Sequence, residues 1–288
     1  MSMGKVGLIA GWGRYPVVVA GALRAQGYQT CCLGIADHAD RNLADLCDEF
    51  HWIGLAQLGR AIRHFRRRGI CEATLAGKIH KGLLYEPWVW FRHRPDWRFF
   101  RTFYPHFFST RSDRKDDTLL GAVVNAFASD GIRIGPATDY APELLVPEGC
   151  LTHRRPTTAQ EKDIEFGWSI AKGMGRLDVG QSVVVKDRAT LAVEAIEGTD
   201  ECIRRAGTLC PVGNFTVVKV AKPQQHMRFD VPTIGLGTLQ SMVAAGAAVL
   251  AIEAGQTILI DRADTVAFAN RHKLVIVARS SAAAQAAA

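Results

Sequence analysis

The 288-residue sequence has no run of about 18 consecutive apolar residues, so no membrane-spanning helix is expected. It has no Cys-x-x-Cys pair. Its seven cysteines, at 31, 32, 47, 71, 150, 202 and 210, are odd in number and scattered. Neither a disulfide framework nor a zinc motif fits that spacing, and reduced thiols are expected. The nine histidines form no His-x-x-x-His pair, and there is no Gly-x-Ser-x-Gly elbow and no Walker lysine loop. The first residues carry no signal-peptide pattern and lead straight into a strand-like run, which points to the cytoplasm. No internal repeat occurs, and the alanine-rich end, 281–288, reads as a frayed tail.

The chain is 48% apolar and 22% charged, and its length suits two cores better than one. The formal net charge of +7 is concentrated. Residues 78–115 hold nine Lys and Arg against Glu86, Asp96 and Asp113, and 11 of the 24 aromatic side chains. Basic charge among large rings suits an anionic membrane surface or amphiphile, or a nucleic acid bound through phosphate contacts and stacking. A core or a dimer interface would use the same rings.

The fold expected is α/β. Lys5–Ala10 is a short, continuously apolar run of the kind found in buried parallel strands. The turn Gly11-Trp12-Gly13 leads to a helix with Pro16 in its first turn. Residues 28–33 and 73–77 read as further strands, with a basic amphipathic helix at 57–68 between them. This alternation implies a Rossmann-like open, mostly parallel sheet with helices on both faces. A helix is expected from Asp116 or Asp117 to Ala128. Four prolines, at 136, 142, 147 and 156, follow it and mark a linker. The expected organisation is an N-terminal domain over 1–135, a linker over 136–155 and a second α/β domain over 156–280. The second domain opens with a helix over 157–174, capped by Thr157 or Thr158 with Glu161 placed for a capping box. A hairpin turning at Asp187-Arg188, a helix over 198–206 and a strand over 215–220 come next.

Four groups of residues suggest chemistry. Gly11 and Gly13 follow the first strand, where backbone N–H groups can approach a phosphate. Pro16 replaces the third glycine of a dinucleotide fingerprint, while Asp37 lies where a ribose-binding acid sits. A plain strand-to-helix turn explains the same residues. Gly77 and Lys78 follow the third expected strand, at the ligand-binding edge of an open sheet. In the second half, Glu194 and Glu197 precede Gly198-Thr199-Asp200 at a helix start. They suit a divalent cation and a phosphate or ribose, and equally a helix cap with solvated acids. The fourth group is the segment 219–235. Lys219, Lys222 and Arg228 can grip a polyphosphate, and Asp230 can orient a water, accept its proton or hold a cation. Pro223 and Pro232 pin the segment. Salt bridges on a surface loop are the competing explanation.

Taken in order, Gly7-Leu8-Ile9-Ala10-Gly11-x-Gly13-x-x-Pro16, Asp116-Asp117-x-Leu119-Leu120, Gly175-Arg176-Leu177-Asp178-Val179-Gly180-Gln181, Ala192-Val193-Glu194-Ala195-x-Glu197-Gly198-Thr199-Asp200, Lys222-Pro223 and Arg228-x-Asp230-x-Pro232-Thr233-Ile234-Gly235 resemble the LpxI family, the UDP-2,3-diacylglucosamine pyrophosphatases of lipid A synthesis. The resemblance runs from about residue 4 to 278. It implies two α/β domains with the acylated sugar between them. It also implies Mg²⁺-dependent hydrolysis to UMP and 2,3-diacylglucosamine 1-phosphate (lipid X). Asp230 matches the family's essential aspartate. The expected substrate-binding residues are Gly11, Gly13, Gly77, Lys78, Gly198, Thr199, Asp200, Lys219, Lys222, Arg228 and Thr233. The expected Mg²⁺ ligands are Asp230, Glu194, Glu197 and Asp117. His226 stands where the family has an acid. The implied location is the cytoplasm, with transient contact at the inner-membrane surface, no nucleic-acid partner, and a homodimer left open. An NAD(P)-dependent oxidoreductase and a non-catalytic lipid- or nucleic-acid-binding protein are the alternatives.

Overall fold

The computed structural model describes residues 4–79, 93–108, 116–222, 228 and 231–280, with only the backbone for 105–108 and 116–118. The chain divides into two compact units: residues 4–142 with Arg228, and residues 143–222 with 231–280.

The first unit runs β1 (Lys5–Ala10), α1 (Tyr15–Ala25), β2 (Gln29–Ile35), α2 (Leu43–Leu46), β3 (Glu49–Ile53), α3 (Leu58–Arg67), β4 (Glu72–Ala76), α4 (Trp97–Phe108), α5 (Asp116–Ala128), β5 (Arg133–Gly135) and α6 (Ala137–Tyr140). All five strands are parallel, in the order β3-β2-β1-β4-β5. This is the Rossmann-like sheet, with five strands where three were expected. The two extra strands, β3 and β5, lie at its edges. Glu49-Phe50-His51-Trp52-Ile53 carries only one buried residue, Ile53, so an apolar run cannot reveal it.

Side chains on β1 alternate between two cores. Ile9 joins Phe65 of α3 and Phe127 of α5. A Cβ on Gly7 would come 2.6 Å from the Phe65 ring, so the glycine lets α3 lie close to the sheet. Val6, Leu8 and Ala10 point the other way and are fully enclosed. Burying each such leucine contributes roughly 1.5–3 kcal/mol.

The described part of the aromatic-basic segment is mainly α4. Phe103 is buried against Phe99, with ring centroids 4.7 Å apart. Trp97, Phe100 and Tyr104 are 80%, 54% and 64% exposed on another face. Asp96 anchors the helix by accepting from the backbone N–H groups of Phe99 and Arg60, each at 2.9 Å.

The second unit runs β6 (Gly149–Cys150), α7 (Thr158–Arg176), β7 (Ser182–Lys186), β8 (Ala189–Val193), α8 (Thr199–Leu209), β9 (Phe215–Lys219), β10 (Thr233–Ile234), α9 (Leu236–Ala245), β11 (Ala247–Glu253), β12 (Ile258–Leu259), α10 (Arg262–Arg271) and β13 (Val275–Arg279). Its main sheet is mixed, in the order β6-β13-β11-β9-β7-β8, and β10 and β12 form a separate parallel pair. The β7–β8 hairpin turns at Asp187 and Arg188, whose φ values of 51° and 60° match a type I′ turn. Alternation again splits the core. Val183, Val185 and Val218 meet Ile164 and Trp168 of α7, whereas Val184 and Val217 meet Ile203, Leu239 and Ala269 of α8, α9 and α10.

Thr157 caps α7, but the reciprocal partner is Gln160, not Glu161. With Thr157 as N-cap, Gln160 is the third helical residue and reaches back to the Thr157 N–H at 2.9 Å. Glu161 instead pairs with Arg279. Among the described residues no helix is long and apolar enough to cross a membrane, and all seven cysteines are free.

Candidate active site

In the first unit, β1 and β4 are neighbours at the point where the strand order reverses, and their carboxyl ends carry Gly11, Gly13, Gly77 and Lys78. The structure brings these turns together by direct backbone pairing. Gly11 N–H donates to the Ala76 carbonyl at 2.8 Å. Trp12 and Lys78 exchange two hydrogen bonds, at 2.8 and 3.0 Å. Gly77, at φ +95°, would place a Cβ 2.7 Å from Pro16 and 2.8 Å from the Gly11 backbone. Two of the turn's amides therefore hold the neighbouring turn, and the glycines permit that approach. Lys78 and Trp12 remain exposed at its rim.

In the second unit the sequence places four separate motifs at one sheet edge. Lys219 ends β9 and pairs with Ser182 at the start of antiparallel β7. Glu194 follows β8, its N–H bonded to the Ser182 carbonyl at 2.9 Å. Gly198, at φ +82°, turns the chain into α8, so that Thr199 and Asp200 form its first turn. Thr233 begins β10. Their side chains form one chain of contacts. Lys219, buried at 7% exposure, donates from Nζ to Thr199 Oγ1 at 3.1 Å and to the Thr233 carbonyl at 3.3 Å. Thr199 Oγ1 donates to Glu194 Oε1 at 2.9 Å and lies 3.3 Å from Ser182 Oγ. Glu194 is 8% exposed, and its second oxygen, Oε2, is buried with no hydrogen-bond partner. Asp200 Oδ1 is in the same condition. Unpaired buried carboxylate oxygens are costly and call for a cation or a donor.

Glu197 does not join this group. Its carboxylate bonds Arg205 at 2.5 Å and the Ala195 N–H at 3.1 Å. Backbone hydrogen bonding, its own amide first, together with the Arg205 guanidinium, holds its carboxyl below the usual range. Lys222 is engaged elsewhere, with Nζ 2.7 Å from Asp178 Oδ1. Arg228 is a half-buried turn residue grouped with the first unit. Asp230, His226 and the side chain of Asp117 lie outside the described residues.

Two supports of the site went unassigned in the sequence. Glu253, at the end of β11, accepts from Lys172 Nζ at 2.8 and 2.7 Å and from the Ala221 N–H at 2.8 Å. Lys172 also donates to the Ala221 carbonyl at 3.0 Å. This buried pair fixes the exit of β9 on both backbone groups of Ala221. The second support is Gly180, where a Cβ would come 2.1 Å from the Glu194 carbonyl oxygen. The Gly175–Gln181 motif was visible, but its spacing carried no signal for that approach.

Residues 5–144 match the LpxI N-terminal domain and residues 147–277 the LpxI C-terminal domain. A protein of Caulobacter vibrioides named UDP-2,3-diacylglucosamine pyrophosphatase LpxI is 31% identical over 277 residues, covering 93% of this chain and 95% of the relative. Two matched domains spanning almost the whole sequence, with a relative 31% identical over nearly all of it, show that this chain belongs to the LpxI family.

Proposed function

We propose that this chain hydrolyses the pyrophosphate bond of UDP-2,3-diacylglucosamine to UMP and 2,3-diacylglucosamine 1-phosphate, with Mg²⁺ as cofactor. Family membership supports the substrate. The observation that carries the chemistry is the Glu194–Thr199–Lys219 chain, which sets a buried ammonium and an unpartnered carboxylate oxygen at the start of α8.

Each residue has a defined task in this reading. Lys219 binds a phosphate oxygen as a fixed charge, aided by the positive end of the α8 dipole. Glu194 accepts the Thr199 proton, which turns the hydroxyl oxygen toward Lys219. The donor set fits Mg²⁺: Glu194 Oε2 and Asp200 Oδ1 are hard oxygen donors without partners, and Mg²⁺ needs only one or two carboxylates beside substrate oxygens. When bound, Mg²⁺ would neutralise pyrophosphate charge and polarise the phosphoryl oxygens. Asp230 takes the proton of the attacking water. The water oxygen joins the sugar-side phosphorus, the bond from that phosphorus to the bridging oxygen breaks, and the bridging oxygen leaves with UMP. The exposed Trp97, Phe100 and Tyr104 on α4, beside exposed Arg101, fit transient contact with an anionic bilayer surface.

The test is release of UMP from the acylated substrate, with and without EDTA. Release that EDTA stops and Mg²⁺ restores supports the reading. Tight NADH binding with no UMP release would overturn it in favour of an oxidoreductase.

A further inference from the structure

A second cluster lies in the first unit, on the outer edge of its sheet. Cys31 of β2 and Glu49 of β3 are direct cross-strand partners in the parallel register. His64 of α3 packs over them. The Cys31 Sγ, a Glu49 carboxylate oxygen and a His64 ring nitrogen all lie within 4.8 Å of one another. His64 Nε2 is buried and has no hydrogen-bond partner. His64 also lines a cavity of about 180 Å³ with Leu33, His51, Trp52, Ile53 and Arg60, wide enough to admit water beside the cluster. The His51 ring lies 4.4 Å from that of His64, and its Nε2 is 3.7 Å from the Glu49 carboxylate.

We propose that Cys31, Glu49 and His64 bind a thiolate-preferring divalent cation, Zn²⁺ foremost, leaving the fourth position to His51 or water. Sulfur and imidazole donors select Zn²⁺ or Co²⁺, whereas Mg²⁺ keeps to oxygen. The site is therefore chemically separate from the carboxylates of the second unit, and the proposal does not rest on the reaction assigned there. Arg68 bonds Glu49 through Oε2, and its Nη2 is 3.2 Å from His51 Nε2. Such an outer contact fixes the orientation of a ligating carboxylate.

The ligand is the thiolate, so cation binding releases the Cys31 thiol proton to solvent. The effect of loading is structural: the ion ties edge strand β3 to β2 and α3.

The experiment uses the full chain stripped of metal, titrated with Co²⁺ and then Zn²⁺ in excess Mg²⁺. One equivalent of Co²⁺ should give a thiolate-to-cobalt charge-transfer band that Zn²⁺ bleaches, and Zn²⁺ should raise Tm. Cys31→Ser should abolish the band and weaken Zn²⁺ binding on the order of 100-fold. His64→Gln should weaken binding while retaining a sulfur band. Cys71→Ser, at an exposed thiol, should change neither. Far-ultraviolet circular dichroism checks that the variants fold. Absence of the band in the unmodified chain, or its survival in folded Cys31→Ser, would overturn the proposal.

Discussion

Lys172→Met should destabilise the second unit by about 3 kcal/mol, because it removes from the buried Glu253 carboxylate the counter-charge that donates to both of its oxygens. Breaking one side of a buried pair typically costs about 3–5 kcal/mol. The Lys172 side chain is 20% exposed, so the lower end applies. At about 2–4 °C per kcal/mol for a unit of this size, Tm should fall by about 6–12 °C. Glu253→Gln should cost a similar amount, since it leaves the ammonium without its counter-charge. The double variant Lys172→Met/Glu253→Gln removes both charges and keeps an acceptor for the Ala221 N–H. It should lie within about 1 kcal/mol of the unmodified chain, because replacing a whole buried pair is often near neutral. The coupling energy, from thermal melts of the four proteins, should therefore be about 5 kcal/mol. Additive single effects would refute the claim that these groups act as a pair. UMP release should follow the same pattern, because Ala221 sets the start of the 222–235 segment.

Lys219→Met should lower kcat/KM on the order of 10²–10³-fold with the fold retained, as for loss of one preorganised donor to a developing oxyanion. Asp230→Ala should nearly abolish turnover while substrate binding, measured by calorimetry, persists; near-normal hydrolysis would remove its assigned role. Glu194→Gln should raise the Mg²⁺ concentration needed for half-maximal rate by at least about tenfold, whereas Glu197→Gln should change it little, since Arg205 already holds that carboxylate. The Glu197–Arg205 contact should also be pH-dependent in one direction. The folded carboxyl lies below its unfolded value, so the contact's contribution is complete above about pH 4.3 and is lost as pH falls through the folded value. Gly180→Ala should lower both stability and activity, because its Cβ would meet the Glu194 carbonyl oxygen at 2.1 Å and force the backbone beside Glu194 to move.

The inner strands were legible because burial on both faces demands continuous apolar runs, as in Lys5–Ala10 and Phe215–Lys219. β3 was not, because an edge strand with four polar or partly exposed residues lacks that run. The helix cap at Thr157 was readable from local chemistry, but its partner depended on which threonine starts the helix. Glu194, Thr199, Lys219 and Thr233 were each visible as chemistry next to a turn. Their union was not, since it depends on the antiparallel insertion of β7 and β8 beside β9.

Local composition is enough to set the α/β class, the absence of a disulfide framework, and the candidate side chains for a polyanion site, because each reflects burial periodicity or residue type. Tertiary structure alone decided which candidates meet. Lys172 and Glu253 are 81 residues apart yet bond each other and, between them, both backbone groups of Ala221. Cys31, Glu49 and His64 meet only through strand register and helix packing. Glu194 and Glu197, three residues apart, have opposite surroundings: one keeps a buried oxygen unpaired, and the other is neutralised by an arginine. Sequence spacing measures distance along the chain, whereas charge, desolvation and hydrogen bonding act across space.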